Sequence, residues 1–297
     1  MNDMINLQTE KRTRVIMMSD IHYCGKWYGV TPEIKCERLC GDLEREYKQD
    51  PYEALLLLGD YSLDYWAWST KGSYLTKGVS DTKRFAEQCL PRMAPLGVDV
   101  RMIAGNHEQY GEALWKDLTG FNRRDHYVCD SVLFILLDTF GGDLDPSIHS
   151  DGTYIGVNMS DIMNLMERYP DKKVILCAHW FDMEKESEEF CRLLKEEERI
   201  LCLVCGHNHL SNISSTRENC GSKPILYTGH YSYSGEKNIV RCLNGYRELI
   251  LTEDGITSKY IVPSHTYTVD NVTFTTEYAE QDETEIQFNR ETERSYE

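Results

Sequence analysis

Eight residues of this chain carry oxygen or imidazole donors just after short apolar runs: Asp20 and His22, Asp60, Asn106 and His107, His179, and His207 with His209. None is a thiol. Such donors suit hard or borderline divalent cations, Mn²⁺, Fe²⁺ or Zn²⁺, rather than a sulfur-preferring metal. The set exceeds the need of one ion, and two ions about 3.5–4 Å apart are a recurring device for in-line displacement at phosphorus. Asp60 is the natural bridge between two such ions. It ends Ala-Leu-Leu-Leu-Leu-Gly (54–59), which lacks the alternation of a half-solvated strand and so reads as a strand buried on both faces.

Five strands must bring these groups to one rim. They are expected at residues 14–19, 54–58, 99–103, 174–177 and 200–205. Thr31-Pro32-Glu33 is a helix start, and Ile34, Leu39 and Leu43 form an apolar stripe through about Tyr47. A right-handed crossover through that helix sets the first two strands parallel, with Asp20 and Asp60 on the same edge. Further helices are expected at 81–90, 112–118, 160–169 (capped by Ser160) and 187–198. Residues 127–129 and 132–137 resemble a hairpin, and 246–252 with 256–262 form another across Glu253-Asp254-Gly255. The aromatic segment 61–78, with Tyr65, Trp66, Trp68 and Tyr74, either covers the site or packs on the surface.

Composition limits the partners. The chain has 297 residues, 41% of them apolar, enough for one large α/β domain. That domain is expected over residues 1–265, followed by an acidic, partly ordered tail over 266–297; from residue 271 onward the tail carries eight acidic against two basic residues. The net charge is −17, so nucleic acid is a disfavoured partner. No stretch approaches about 18 uninterrupted apolar residues, so no membrane partner is expected and a cytoplasmic location follows as the expectation. The 11 cysteines are odd in number and scattered through apolar segments, and they read as small buried hydrophobes rather than disulfides. Cys202 and Cys205 stand three apart on a strand and point to opposite faces, which argues against a zinc site there.

The ordered blocks Asp20-x-His22, Gly59-Asp60, Gly105-Asn106-His107-Glu108, His179 and Gly206-His207-x-His209 resemble the calcineurin-like metallophosphoesterase superfamily. The resemblance spans 20–209. It implies a four-layer α/β/β/α sandwich of two mixed sheets flanked by helices, with two divalent metals (Mn, Fe or Zn) on loops at one end. It also implies a small phosphate mono- or diester substrate, hydrolysed by attack of a metal-bridging hydroxide. One ion would be held by Asp20, His22, Asp60 and His209, the other by Asp60, Asn106, His179 and His207. His107 resembles the histidine that helps protonate the leaving oxygen, and Glu108 would hold its ring. Two departures stand out: Leu63 occupies the place where many relatives have an acid, with Asp64 one later, and Trp180 follows His179 where many have proline. The alternative is a non-catalytic metal-binding interaction module of the same fold. His230, and His126 beside Arg123 and Arg124, are lesser candidates for the pocket or for phosphate binding.

Overall fold

The computed structural model describes residues 12–24, 31–66, 74, 77–141, 152–232, 245–269 and 272–288. Strands β1 (Thr13–Met18) and β2 (Ala54–Leu58) are buried at every residue, as unbroken apolar runs require. Helix α1 (Pro32–Gln49) links them. Thr31 caps it, its hydroxyl accepting from Ile34 N at 3.4 Å. The two strands pair in parallel with Met17 opposite Leu56, and β2 pairs in parallel with β3 (Asp99–Ile103).

On the other side of β1 lie three antiparallel strands, β10 (Tyr246–Leu251), β11 (Gly255–Val262) and β14 (Ala279–Gln287), giving the order β14-β11-β10-β1-β2-β3. The acidic end of the chain thus contributes an edge strand. The second sheet runs β4 (Asp125–Cys129), β5 (Val132–Leu137), β6 (Lys173–Ala178), β7 (Ile200–Cys205), β9 (Pro224–Tyr227), β8 (Ile213–Ser215), with parallel pairing from β5 to β9 and antiparallel edges. A hairpin of β12 (His265–Val269) and β13 (Val272–Thr276) stands apart from both sheets.

Alternation within the strands builds four layers. Val15, Met17, Leu56 and Leu58 meet Phe134, Leu136, Ile175 and Val204 between the sheets. Their neighbours Ile16, Met18, Leu55 and Leu57 face the other way, onto α1, α2 (Asp81–Gln88) and α4 (Glu112–Thr119) through Leu39, Phe85 and Trp115. The outer face of the second sheet packs Ile135, Leu176 and Leu203 on α5 (Met159–Arg168) and α6 (Glu188–Glu196). A short turn of helix, α3 (Leu90–Met93), follows α2. Cys202 and Cys205 do lie on opposite faces of β7.

Two expectations are corrected. Helix α5 is capped by Asn158, whose Oδ1 accepts from Ser160 N at 3.0 Å, so it begins one residue before Ser160. Cys191 on α6 and Cys220 form a disulfide. They lie 29 residues apart, and packing of the 218–220 turn against α6 brings them together, which spacing alone does not reveal. Among the described residues, no helix is long and apolar enough to cross a membrane.

Candidate metal centre

All eight donor residues leave the carboxyl ends of β1, β2, β3, β6 and β7 and meet at one end of the sandwich. Their loops are laddered together beyond the strands: Asp20 N donates to Gly59 O and His22 N to Asp60 O, each at 3.0 Å, and Gly206 N donates to His179 O at 2.9 Å. Five of the eight hold left-handed backbone, with φ of 53° at Asp20, 48° at His22, 56° at Asp60, 70° at His207 and 57° at His209. For residues with a Cβ this conformation is costly and persists only where surrounding contacts over-determine it.

Glycines make the crowding possible. Gly59 has φ 92°, and a Cβ there would stand 2.6 Å from Gly105 Cα. A Cβ on Gly105 would stand 2.2 Å from Asp60 Oδ1, so this residue serves through its missing side chain rather than through its dihedral angles.

The side chains form overlapping clusters. Asp20, His22 and His209 make one and Asp60, His179 and His207 another, with ligand atoms within 4.8 Å of one another in each; His22, Asp60 and His107 make a third that shares His22 with the one and Asp60 with the other. Asp60 Oδ2 lies 3.7 Å from His22 Nε2 and 3.2 Å from His179 Nε2, so it faces both. Asn106 Oδ1 accepts from His179 Nε2 and His207 Nδ1, each at 2.9 Å. His179 Nδ1 donates to Leu58 O at 2.7 Å, which turns its Nε2 toward Asp60.

The donor set fits a pair of divalent cations. Asp20 Oδ1 is buried and accepts no hydrogen bond, 3.2 Å from His209 Nε2. Burial alone would raise the Asp60 carboxyl, but the imidazoles of His107 and His179 outweigh it and hold it well below the usual carboxylate range. Burial drives His22 down to about 3 and, helped by His179, His207 to about 4. Burial opposes protonation of His179, yet Asp60 and Asp20 lift it to about 9, and a cation would displace that proton. Ionised carboxylates and neutral imidazoles are the ligand forms.

His107 Nε2 lies 3.6 Å from Asp60 Oδ2 on the cleft side, and its buried Nδ1 has no hydrogen-bond partner among the described residues. Glu108 does not hold that ring. Its Oε2 accepts from Asp60 N (2.8 Å) and Gly105 N (2.9 Å), and its Oε1 from Ser62 N (3.1 Å), so the carboxylate braces the β2 and β3 loops. Burial first, then the Asp60 charge, raises its carboxyl, while the amides of Gly105 and Ser62 favour the ionised form. Asp64 has a separate task, accepting from Asp81 N (2.9 Å) and Thr82 N (3.1 Å) at the start of α2.

The cleft over the centre has a volume of about 470 Å³. Trp66, Phe140, Tyr154 and Trp180 line it with the donors, as does Lys185. Phe140 lies 5.8 Å from the rings of both His179 and His207, and Trp66 6.2 Å from that of His107. Trp180 stacks on His207 at 4.4 Å, and Lys185 Nζ lies 5.6 Å from the Trp180 ring. The aromatic segment divides: Trp66 lines the cleft, Tyr65 packs against Tyr74 and Tyr110, and Trp68 lies outside the described residues. Sequence reasoning missed Tyr154 and Lys185, isolated residues without a motif. His230 sits behind the centre, its ring 5.2 Å from that of His209.

The phosphate role considered for Arg123, Arg124 and His126 is overturned, since none lines the cleft. Arg123 is spent on Asp138 (2.7 and 3.1 Å) and on the carbonyls of Glu108 and Tyr110, Arg124 pairs with Asp161, and His126 meets Tyr169.

A family model for the calcineurin-like phosphoesterases matches residues 13–211. The chain belongs to the calcineurin-like phosphoesterase family. It is thereby a metal-dependent phosphoric ester hydrolase. Among solved structures, this phosphoesterase is similar to a dimetal phosphatase from Danio rerio, at 12% identity and TM-score 0.58, over 90% of this chain and 99% of that one. It is also similar to the purple acid phosphatase PPD1 from yellow lupin (Lupinus luteus) seeds, at 13% identity and TM-score 0.51, over 84% of this chain and 51% of that one. A third likeness is to PhoD, at 11% identity and TM-score 0.54, over 91% of this chain and 68% of that one. At these identities the likeness is one of fold. No curated protein sequence matches the chain.

Proposed function

We propose that this phosphoesterase hydrolyses a small phosphate mono- or diester at a dinuclear centre, with Asp20, His22, Asp60 and His209 holding one divalent ion and Asp60, Asn106, His179 and His207 the other. The observation that carries the reading is the pair of donor clusters with Asp60 facing both. When bound, two such ions polarise the phosphoryl oxygens and acidify the attacking water.

The chain's own residues do the rest. Asp60, buried and held ionised, neutralises charge between the two clusters. His107 directs Nε2 into the cleft, where it donates to the leaving oxygen. Glu108 acts as a positioning residue, fixing the amides on either side of the bridge. The aromatic rings exclude water from part of the cleft, and Lys185, ion-paired with Asp182 at 2.9 Å, places an ammonium at its edge within a chain of net charge −17. A cleft of about 470 Å³ accommodates a small ester.

Metal analysis paired with assays of mono- and diester chromogens after Mn²⁺ reconstitution tests this reading. About two equivalents of metal and turnover are expected. Less than one equivalent together with inertness on both esters would instead establish the non-catalytic module. Asp60→Asn is expected to abolish turnover while the far-ultraviolet circular dichroism stays unchanged; an active variant contradicts the bridging role.

A further inference from the structure

In the helical layer outside the first sheet, three buried cysteines converge. Cys36 and Cys40 stand one turn apart on α1 with Sγ atoms 3.9 Å apart. Cys89, between α2 and α3, completes a triangle in which all three sulfurs lie within 4.8 Å of one another. None is more than 7% exposed. Packing alone does not call for three thiols at one point where methyl groups would fill the space. An odd number of thiols also leaves one over from any disulfide.

We infer that Cys36, Cys40 and Cys89 form a structural site for a thiophilic divalent cation of the Zn²⁺ class. Zinc–sulfur bonds of about 2.3 Å in tetrahedral geometry set sulfurs roughly 3.8 Å apart, and Cys36 and Cys40 already stand at 3.9 Å; the three sulfurs fill three of the four positions and leave the fourth to a water. Binding forms three sulfur–metal bonds and releases the thiol protons to solvent. Three thiolates and a dication carry one net negative charge. A monovalent ion would leave twice that charge buried, which favours the dication. Among the described residues no His, Asp or Glu joins the group, so the softness of the donors separates this site from the oxygen- and imidazole-rich centre. The cation would clamp α1 to the junction of α2 and α3.

The test is a titration of the chelator-treated full chain with Cd²⁺, the Cys191–Cys220 disulfide left intact, followed by its sulfur-to-cadmium charge-transfer absorbance. The phosphoesterase centre contains no thiolate, so Cd²⁺ bound there adds nothing to this band. We expect a band that saturates at one equivalent of thiolate-bound metal and a melting temperature that rises by several degrees. The band should be lost in Cys36→Ser and Cys89→Ser and kept in Cys202→Ser. No band in the wild type, or a band that survives in either of the first two variants, overturns the site. If a serine variant does not fold, alkylation mapping of the wild type decides, in a denaturant concentration at which the metal-free chain exposes these buried thiols: protection of Cys36, Cys40 and Cys89 by Cd²⁺ supports the site, and alkylation unchanged by Cd²⁺ refutes it.

Discussion

The two walls of the cleft are made by different means. On one, the donors leave strand ends, are largely buried, and have their backbone groups tied from loop to loop; Asp20 Oδ2 alone accepts from Ser19 Oγ (2.5 Å) and His207 N (2.9 Å). On the other, Trp66, Tyr154, Trp180 and Lys185 come from connecting segments and are held ring against ring, with the Lys185 side chain 62% exposed. The first wall tolerates almost no displacement, because a moved carboxylate or carbonyl breaks several contacts at once. The second is held by fewer polar contacts, and it meets the first where Trp180 stacks on His207 and Trp66 packs near His107.

Mutations can break or sharpen that contrast. After Asp60→Asn, the largest effect is expected from His107→Ala, a fall in kcat of about 10²–10⁴-fold, steeper for esters with poor leaving groups than for activated ones. Equal losses on both kinds of ester would remove His107 from proton transfer. Glu108→Gln should cost about 10–100-fold in kcat with KM nearly unchanged, since the new amide places an N–H against one of the three backbone donors. Metal affinity measured on the same variant should fall, and a variant that binds metal as tightly as the wild type would show that Glu108 does not position the donor wall. Lys185→Ala is the mildest. It should raise KM on the order of tenfold, about 1.4 kcal/mol, and leave kcat in place. A fall in kcat at Lys185 equal to that at Glu108 would mean that the two walls act as one.

Much of the donor wall is legible in the order of residues alone. A leucine run ending in Gly59-Asp60 must be a buried strand delivering a carboxylate, and the same form recurs ahead of Asp20, Asn106, His179 and His207. Glu108 is legible as a site residue but not in its task, because nothing in Gly-Asn-His-Glu tells whether its carboxylate turns to the neighbouring ring or back to amides from another strand. The pairing of Cys191 with Cys220 is hidden for a like reason: contact across 29 residues depends on how a helix packs against a distant turn.

The sequence by itself determined which atoms could bind metal, and that five strands would carry them to a common edge, because residue type sets donor chemistry and periodicity sets burial. Only the tertiary structure decided that five donors sit in left-handed backbone, that Glu108 turns to the amides of Asp60, Ser62 and Gly105, and that Trp66, Trp180 and Lys185 line the cleft. The reason is physical. Those features are distances between segments far apart in the chain, fixed by the packing of two sheets, and no local spacing records them.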